Sequence, residues 1–261
     1  MIDKDHTDYA EYKRKWDEIS TDFEAEVEAE VEKIIRTIDA STLENKNSAE
    51  LKLNDVGEII LCAVLSTALT VLGSMWIDRL YAREDAPLTF PDDISARSRF
   101  RRPLLWLGLT IGLSMSVSRP TVEAIYLSAA TFLLLLITAM DFEQYVIFDR
   151  MNLALALVGL TATIHLGLPL DDRLIAALVG GGAFLVLTIV TGGAIGGGDI
   201  KLIAALGLWF GTDGLLDVVF YGSMAGGIAA LLMLLTKQKD RKAAFAYGPY
   251  FALTALILLL R

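Results

Sequence analysis

A chain of 261 residues, 54% of them hydrophobic and with a mean hydropathy of +0.50, is too apolar for an ordinary soluble domain. Its net charge of −9 argues against nucleic acid as a partner, because phosphates would be repelled. The single cysteine, Cys62, excludes an internal disulfide and any multi-cysteine metal site.

Residues 1–56 form an acidic segment in which apolar residues recur at spacings of three and four. This periodicity predicts an amphipathic helical extension with a solvated acidic face. A second interpretation is a coiled-coil or docking arm, through which the chain contacts a partner or a second copy of itself. The apolar positions are Trp16, Ile19, Phe23, Val27, Val31, Ile34 and Ile38.

Residues 57–103 are predicted to contain a first membrane span, Ile59 to Ile77, followed by a polar loop over 78–103. Positively charged loops stay on the cytoplasmic side of a membrane, so we expect this loop to be cytoplasmic. The loop has no cysteine, and zinc bound by thiolates is therefore excluded there. Its arginines are Arg79, Arg83, Arg97, Arg99, Arg101 and Arg102.

Residues 104–261 are predicted to form a membrane-embedded core, because apolar segments follow one another with only short polar turns between them. The expected fold is an all-α, polytopic helix bundle with about seven to eight spans in the cell membrane. A turn is expected at 211–214, and the basic island 237–242 falls on the side of the first loop. The expected spans are 104–118, 121–140, 152–169, 172–191, 200–211, 214–236 and 244–260.

Two acidic residues are the candidates for chemistry. Asp141 ends one apolar run, and Asp199 begins another after a glycine-rich stretch. Ionisable residues at a membrane are costly and are functional candidates for that reason. Two helices running out and back separate them, so both are expected at cytoplasmic span ends. Asp199 and Asp149 could also serve as ordinary helix caps.

Two carboxyl groups brought together cannot both ionise easily, so the pair holds an acid and a base at once. The base can take a proton from water while the acid polarises a peptide carbonyl. Such a pair hydrolyses peptides with no metal, no cofactor and no covalent intermediate.

The motifs resemble those of the type IV prepilin peptidases and archaeal preflagellin peptidases, which are GxGD-type membrane aspartyl proteases. The segment Gly196–Asp199 matches GxGD, and residues 200–207 resemble the family's continuation. Asp141, followed by residues 147–149, resembles the first catalytic segment, and residues 247–250 resemble the segment before the last span. Phenylalanine at position 148, where bacterial members usually have proline, is closer to the archaeal pattern.

This resemblance implies that Asp141 and Asp199 are catalytic. They would remove a short basic leader from pilin-like or archaellin precursors at the cytoplasmic face of the bilayer. Methyl transfer is not expected. The acidic Glu143 and Asp149 are hypothesised to attract the basic leader. The supporting residues are Gly196, Gly198, Glu143, Asp149 and Lys201.

Three other readings stay open at this point. Presenilin-like and signal-peptide-peptidase-like enzymes share GxGD but precede the first aspartate with tyrosine, whereas Met140 precedes Asp141 here. A transporter could use the two aspartates to carry protons or cations. A non-enzymatic scaffold for filament assembly could use residues 1–56 as its docking arm.

Overall fold

The computed structural model describes residues 53–117, 119–235 and 246–261, and all regular secondary structure within these ranges is helical. The described residues from Glu58 onward form one compact unit. The expected all-α membrane bundle is thereby confirmed. Most of the predicted extension over 1–56 and the basic island over 237–242 lie outside the described residues.

The described part of the chain contains eight α-helices and one short 3-10 turn, Pro91–Asp93. The helices are α1 (Leu53–Tyr81), α2 (Ile94–Arg97), α3 (Arg101–Val117), α4 (Thr121–Gln144), α5 (Asp149–His165), α6 (Leu170–Val190), α7 (Gly197–Leu235) and α8 (Gly248–Leu260).

Four of these helices contain a segment long and apolar enough to cross a membrane. They are α1 over Ile60–Tyr81, α4, α6 and α7. Helices α3 and α5 have 17 residues each and α8 has 13, fewer than the roughly 20 of a straight crossing. The described helices thus follow the predicted apolar segments, although fewer than seven meet the length criterion.

Helix α7 covers two predicted spans and is interrupted at Gly211, whose backbone has φ 70° and ψ −170°. Two neighbouring residues of α6 form hydrogen bonds with the polar groups that the break leaves unpaired. Arg173 donates from Nη1 to the carbonyl oxygen of Leu208 at 3.0 Å, and Asp172 accepts from the Thr212 hydroxyl at 2.5 Å. A cation thus meets the carboxyl end of one half-helix and an anion the amino end of the next, matching their dipoles. The turn expected at 211–214 begins here.

Helix α4 lies at the centre of the bundle and packs against α3, α5 and α8, while α7 packs against α5, α6 and α8. Glycines allow some of these contacts to be very close. A Cβ on Gly207 of α7 would lie 2.5 Å from the backbone nitrogen of Ala177 in α6. A Cβ on Gly73 of α1 would lie 2.7 Å from the Leu136 side chain of α4. Small residues at such contacts are typical of membrane helix packing.

Candidate active site

Asp141 and Asp199, called the carboxyl pair below, converge on the backbone of Gly248. A Cβ built on Gly248 would lie 2.6 Å from Oδ2 of Asp141 and 2.9 Å from Oδ1 of Asp199. The two oxygens are therefore no further apart than the sum of these distances. The carboxyl end of α4 and the amino ends of α7 and α8 meet at this point. The structure thus brings together the two aspartates that the sequence singled out.

Each carboxyl group accepts a backbone hydrogen bond and keeps one oxygen without a partner. The backbone amides of Gly248 and Gly196 serve as hydrogen-bond donors to Asp141 and Asp199, respectively. Oδ2 of Asp141 and Oδ1 of Asp199 are buried and have no hydrogen-bond partner among the described residues. A carboxyl oxygen can donate when protonated and accept when ionised, so the pair can hold one acid and one base, each with an unengaged oxygen.

Asp141 lies in the last turn of α4. The helix ends when Tyr145 adopts a left-handed conformation with φ 53°, and its N–H donates to the carbonyl oxygen of Asp141 at 3.0 Å. Such a residue reverses the chain direction at a helix end. The reversal returns Ile147 to the carboxyl pair, where its side chain lies against Gly248.

Asp199 is held by the glycine-rich turn before it. Helix α7 begins at Gly197, so Asp199 is its third residue and reaches back to the amide of Gly196. This is the arrangement of a capping box, in which the third residue satisfies the amide before the helix. Asp199 is therefore a cap through one oxygen and a member of the carboxyl pair through the other.

Gly198 allows the two acidic segments to touch. A Cβ at this position would lie 3.0 Å from the Cβ of Ile147 and 3.2 Å from its carbonyl oxygen. Asn152 of α5 donates from Nδ2 to the carbonyl oxygen of Gly198 at 3.0 Å. The predicted support residues Gly196 and Gly198 thus lie beside Asp199 and its turn.

Glu143 does not face the carboxyl pair. It is buried and accepts from Arg101 at 2.5–3.1 Å and from the Tyr81 hydroxyl at 3.1 Å. Its charge is already compensated inside the protein. This placement argues against the expectation that Glu143 attracts a basic leader.

Asp149 and Lys201 form an exposed ion pair with a separation of 2.6 Å. Asp149 is the first residue of α5, and its carboxylate bonds to this lysine; the helix start has no side-chain capping bond. The capping role considered for Asp149 is therefore not observed. Of the two acidic support residues, Asp149 alone is accessible to a charged ligand.

Two residues of this region were not predicted as site residues. Gly248 was noted only within the segment 247–250, because a glycine carries no chemical signature of its own. Arg101 was interpreted as one of several arginines that set topology, yet its side chain is 3% exposed and bridges Glu143 and Asp78. Nothing in its spacing distinguishes it from its neighbours.

Metal ligation is not suggested by the described residues. No group of three or more histidine, cysteine or acidic side chains among them is arranged to hold an ion. His165, far along α5 from Asp149, is exposed, and its Nδ1 is hydrogen-bonded to the Tyr126 hydroxyl.

The fold and the site together define an all-helical membrane protein with a buried pair of carboxyl groups at one end of its bundle. Residues 127–231, which contain both members of the carboxyl pair, match the type IV leader peptidase family. The resemblance that the motifs show to this family is thereby confirmed.

Several curated relatives named prepilin leader peptidase/N-methyltransferase are similar to this chain. The Aeromonas salmonicida (strain A449) protein is 30% identical over 163 residues, which are 59% of this chain and 54% of the relative. The Neisseria gonorrhoeae protein is 33% identical over 49% of this chain and 46% of its own length. For the Pseudomonas aeruginosa protein the values are 34%, 50% and 47%. The chain thus spans about half the length of the curated relatives it matches. No solved structure matches it.

Proposed function

We propose that this chain is a membrane aspartyl endopeptidase that removes short basic leaders from type IV pilin-like or archaellin precursors. The observation that carries the proposal is the convergence of Asp141 and Asp199 on Gly248, inside a region that matches a leader peptidase family. An exposed surface aspartate would have its oxygens in water. Here two oxygens are buried, lie close to the same point on Gly248 and have no partner among the described residues.

Hydrolysis by this pair needs no group that the chain does not supply. In the resting pair one carboxyl group is protonated and the other is ionised, because two adjacent charges repel each other. The ionised group takes a proton from water, and the hydroxide adds to the peptide carbonyl carbon. The protonated group donates to the carbonyl oxygen as its charge develops. Proton return to the leaving nitrogen then breaks the C–N bond.

The arginines near the site support a cytoplasmic orientation. Arg79 at the end of α1, Arg97 in α2 and Arg102 at the start of α3 belong to the same end of the bundle as the carboxyl pair. Positive residues next to spans favour the cytoplasmic side. A precursor whose basic leader lies in the cytoplasm and whose apolar segment enters the bilayer would therefore present its cleavage site at this level.

The interpretation of this chain as a transporter has less support than the proposed peptidase function. An ion pathway through broken helices would place the break beside the ligand. The break at Gly211 lies twelve residues beyond Asp199 along α7, about 18 Å away at the helical rise. The carboxyl pair and the break thus belong to different parts of the bundle.

The direct test is cleavage of a precursor in liposomes by the parent chain and by Asp141→Asn and Asp199→Asn. The substrate carries a short basic leader, a glycine or alanine, and then an apolar helix. We expect cleavage before the apolar helix by the parent, and a loss of about 1,000-fold or more in each variant. The double variant should lose no more than either single one, because the pair acts as a unit.

Asp213→Asn provides the matched control, because Asp213 is exposed and lies beyond the break in α7. It should cleave at the parent rate. Parent-like cleavage by either pair variant would refute the mechanism. Failure of the parent to cleave any such precursor would refute the function.

A further inference from the structure

Residues 90–101, called the clasp below, bind the last turn of α4, which carries Asp141. The Gln144 side chain pairs with the backbone of one clasp residue. Its Oε1 accepts from the Phe90 N–H at 2.9 Å, and its Nε2 donates to the Phe90 carbonyl at 3.1 Å. Gln144 is fully buried. Both polar atoms of a buried amide are thus satisfied by a single backbone unit, which fixes its orientation.

A second clasp residue, Arg97, binds the open carbonyl groups at the end of α4. It donates from Nη2 to the Phe142 carbonyl at 3.1 Å and from Nε to the Glu143 carbonyl. Its guanidinium lies 4.0 Å from the centre of the Phe90 ring. The last carbonyls of a helix have no partner within the helix, and a cation is favourable there.

The third contact is an ion pair between Arg101 and Glu143. Both side chains are almost fully buried, with 3% and 6% of their surface exposed. The Arg101 guanidinium also reaches Asp78 of α1 at 2.5 Å. An arginine fork with several charge-assisted bonds has one preferred geometry, so it holds Glu143 in a defined direction.

The direction of Glu143 sets the direction of Asp141. Successive residues of an α-helix are rotated by about 100°, so residues two apart point to nearly opposite sides. Glu143 points to α1 and α3, where Arg101 binds it, and Asp141 points to Gly248 at the start of α8. Any rotation of the last turn that released Glu143 would also turn Asp141 away from Asp199.

We infer that the clasp positions the catalytic pair: Arg101 and Gln144 are positioning residues that fix the rotation of the last turn of α4 and so aim Asp141 at Asp199. Neither residue touches the carboxyl pair itself. The effect on cleavage rests on the proposed function, whereas the effect on the distance between positions 141 and 199 does not.

The test removes the buried charges together. Arg101→Met alone would leave Glu143 buried without a partner and could unfold the protein. The double variant Arg101→Met/Glu143→Gln leaves no such charge. Gln144→Met is the second variant, since it keeps the side-chain length and removes both hydrogen bonds. Arg102→Met is the matched control, because Arg102 is the exposed neighbour of Arg101.

Two readouts separate positioning from simple stabilisation. In steady-state cleavage we expect kcat to fall by about 10- to 100-fold in the double variant and in Gln144→Met, with KM changed by less than about twofold. Arg101→Lys, which keeps the charge but not the fork, should recover part of the loss. Arg102→Met should match the parent.

The second readout needs no substrate. Cysteines replace Asp141 and Asp199 in a Cys62→Ala background, and a short cross-linker that alkylates thiols at both of its ends reports how often they meet. We expect the yield to fall at least about threefold when the clasp variants are added, in protein that keeps its thermal midpoint. Unchanged cross-linking and unchanged kcat in folded variants would overturn the inference. If the double variant does not fold, the kcat and the cross-linking yield of Gln144→Met decide whether the inference holds. If the parent cleaves nothing, the proposed function fails. The cross-linking yield alone then tests whether the clasp positions residues 141 and 199.

Discussion

Asn152 donates from Nδ2 to the carbonyl oxygen of Gly198 at 3.0 Å, which joins α5 to the turn that carries Asp199. The side chain is buried, with 4% of its surface exposed. The segment after Asp141 and the segment before Asp199 are therefore connected by one side-chain amide. This bond adds a direct contact to the long connection through α5 and α6.

Replacing that amide with a carboxylate should damage the site. Asn152→Asp removes the hydrogen-bond donor and places a carboxylate oxygen next to the Gly198 carbonyl oxygen, so that two acceptors meet. It also adds a third acid near the carboxyl pair. We expect the free energy of unfolding in detergent to fall by about 1–3 kcal/mol, the usual cost of an unsatisfied buried polar group. Asn152→Ala, which adds no charge, should cost less. Equal stability of Asn152→Asp and the parent would contradict this account of the contact.

Gly248 is expected to be essential for activity although it has no side chain. A Cβ there would lie 2.6 Å from one carboxyl oxygen and 2.9 Å from the other, so both must move apart. Gly248→Ala should reduce cleavage by about 100-fold or more, because small displacements of reacting groups are costly. Gly227→Ala is the control, since a Cβ at that position meets nothing within 4 Å. Similar cleavage by the two variants would show that the pair tolerates a Cβ at position 248.

The exposed pair of Asp149 and Lys201 should influence substrate affinity and leave stability unchanged. If Asp149 attracts a basic leader, Asp149→Asn should raise KM several-fold, and Lys201→Met should lower it by freeing that carboxylate. Both effects should weaken in high salt. An exposed ion pair contributes only about 0–1 kcal/mol, so the thermal midpoint should barely change in either variant.

A substrate whose leader carries glutamine in place of its basic residues serves as the control for this prediction. With that substrate the KM values of Asp149→Asn, Lys201→Met and the parent should be alike. An equal rise of KM for the charged and uncharged leaders would mean that Asp149 acts through the fold and not through its charge.

The sequence predicted the helical bundle and its two acidic positions because each rests on a local, strong signal. Long apolar runs determine helices in a membrane, and the out-and-back path between Asp141 and Asp199 returns both to one end. The glycine at 211 likewise marked the interruption of α7. The helices and the interruption depend only on the neighbouring chain, and the common end of the two aspartates follows from counting the helices between them.

The roles of Glu143, Arg101 and Gly248 could not be predicted from the sequence. Glu143 and Asp149 look equivalent in the sequence, since both are acids near Asp141. Whether an acid faces its substrate or an internal arginine depends on contacts between helices far apart in the chain. Gly248 acts through the side chain it lacks, and only the packing of α8 against the carboxyl pair reveals what a methyl group would displace.

The interruption at Gly211 also has a consequence for the surrounding lipid. The first part of α7, residues 197–210, rises by only about 21 Å, whereas the hydrocarbon layer of a bilayer is about 30 Å thick. Asp172 and Arg173 hold polar groups at the far end of this short segment, so that end cannot sink into hydrocarbon without cost. The bilayer must then thin around this part of the protein, or water must reach Asp199 below the average membrane surface.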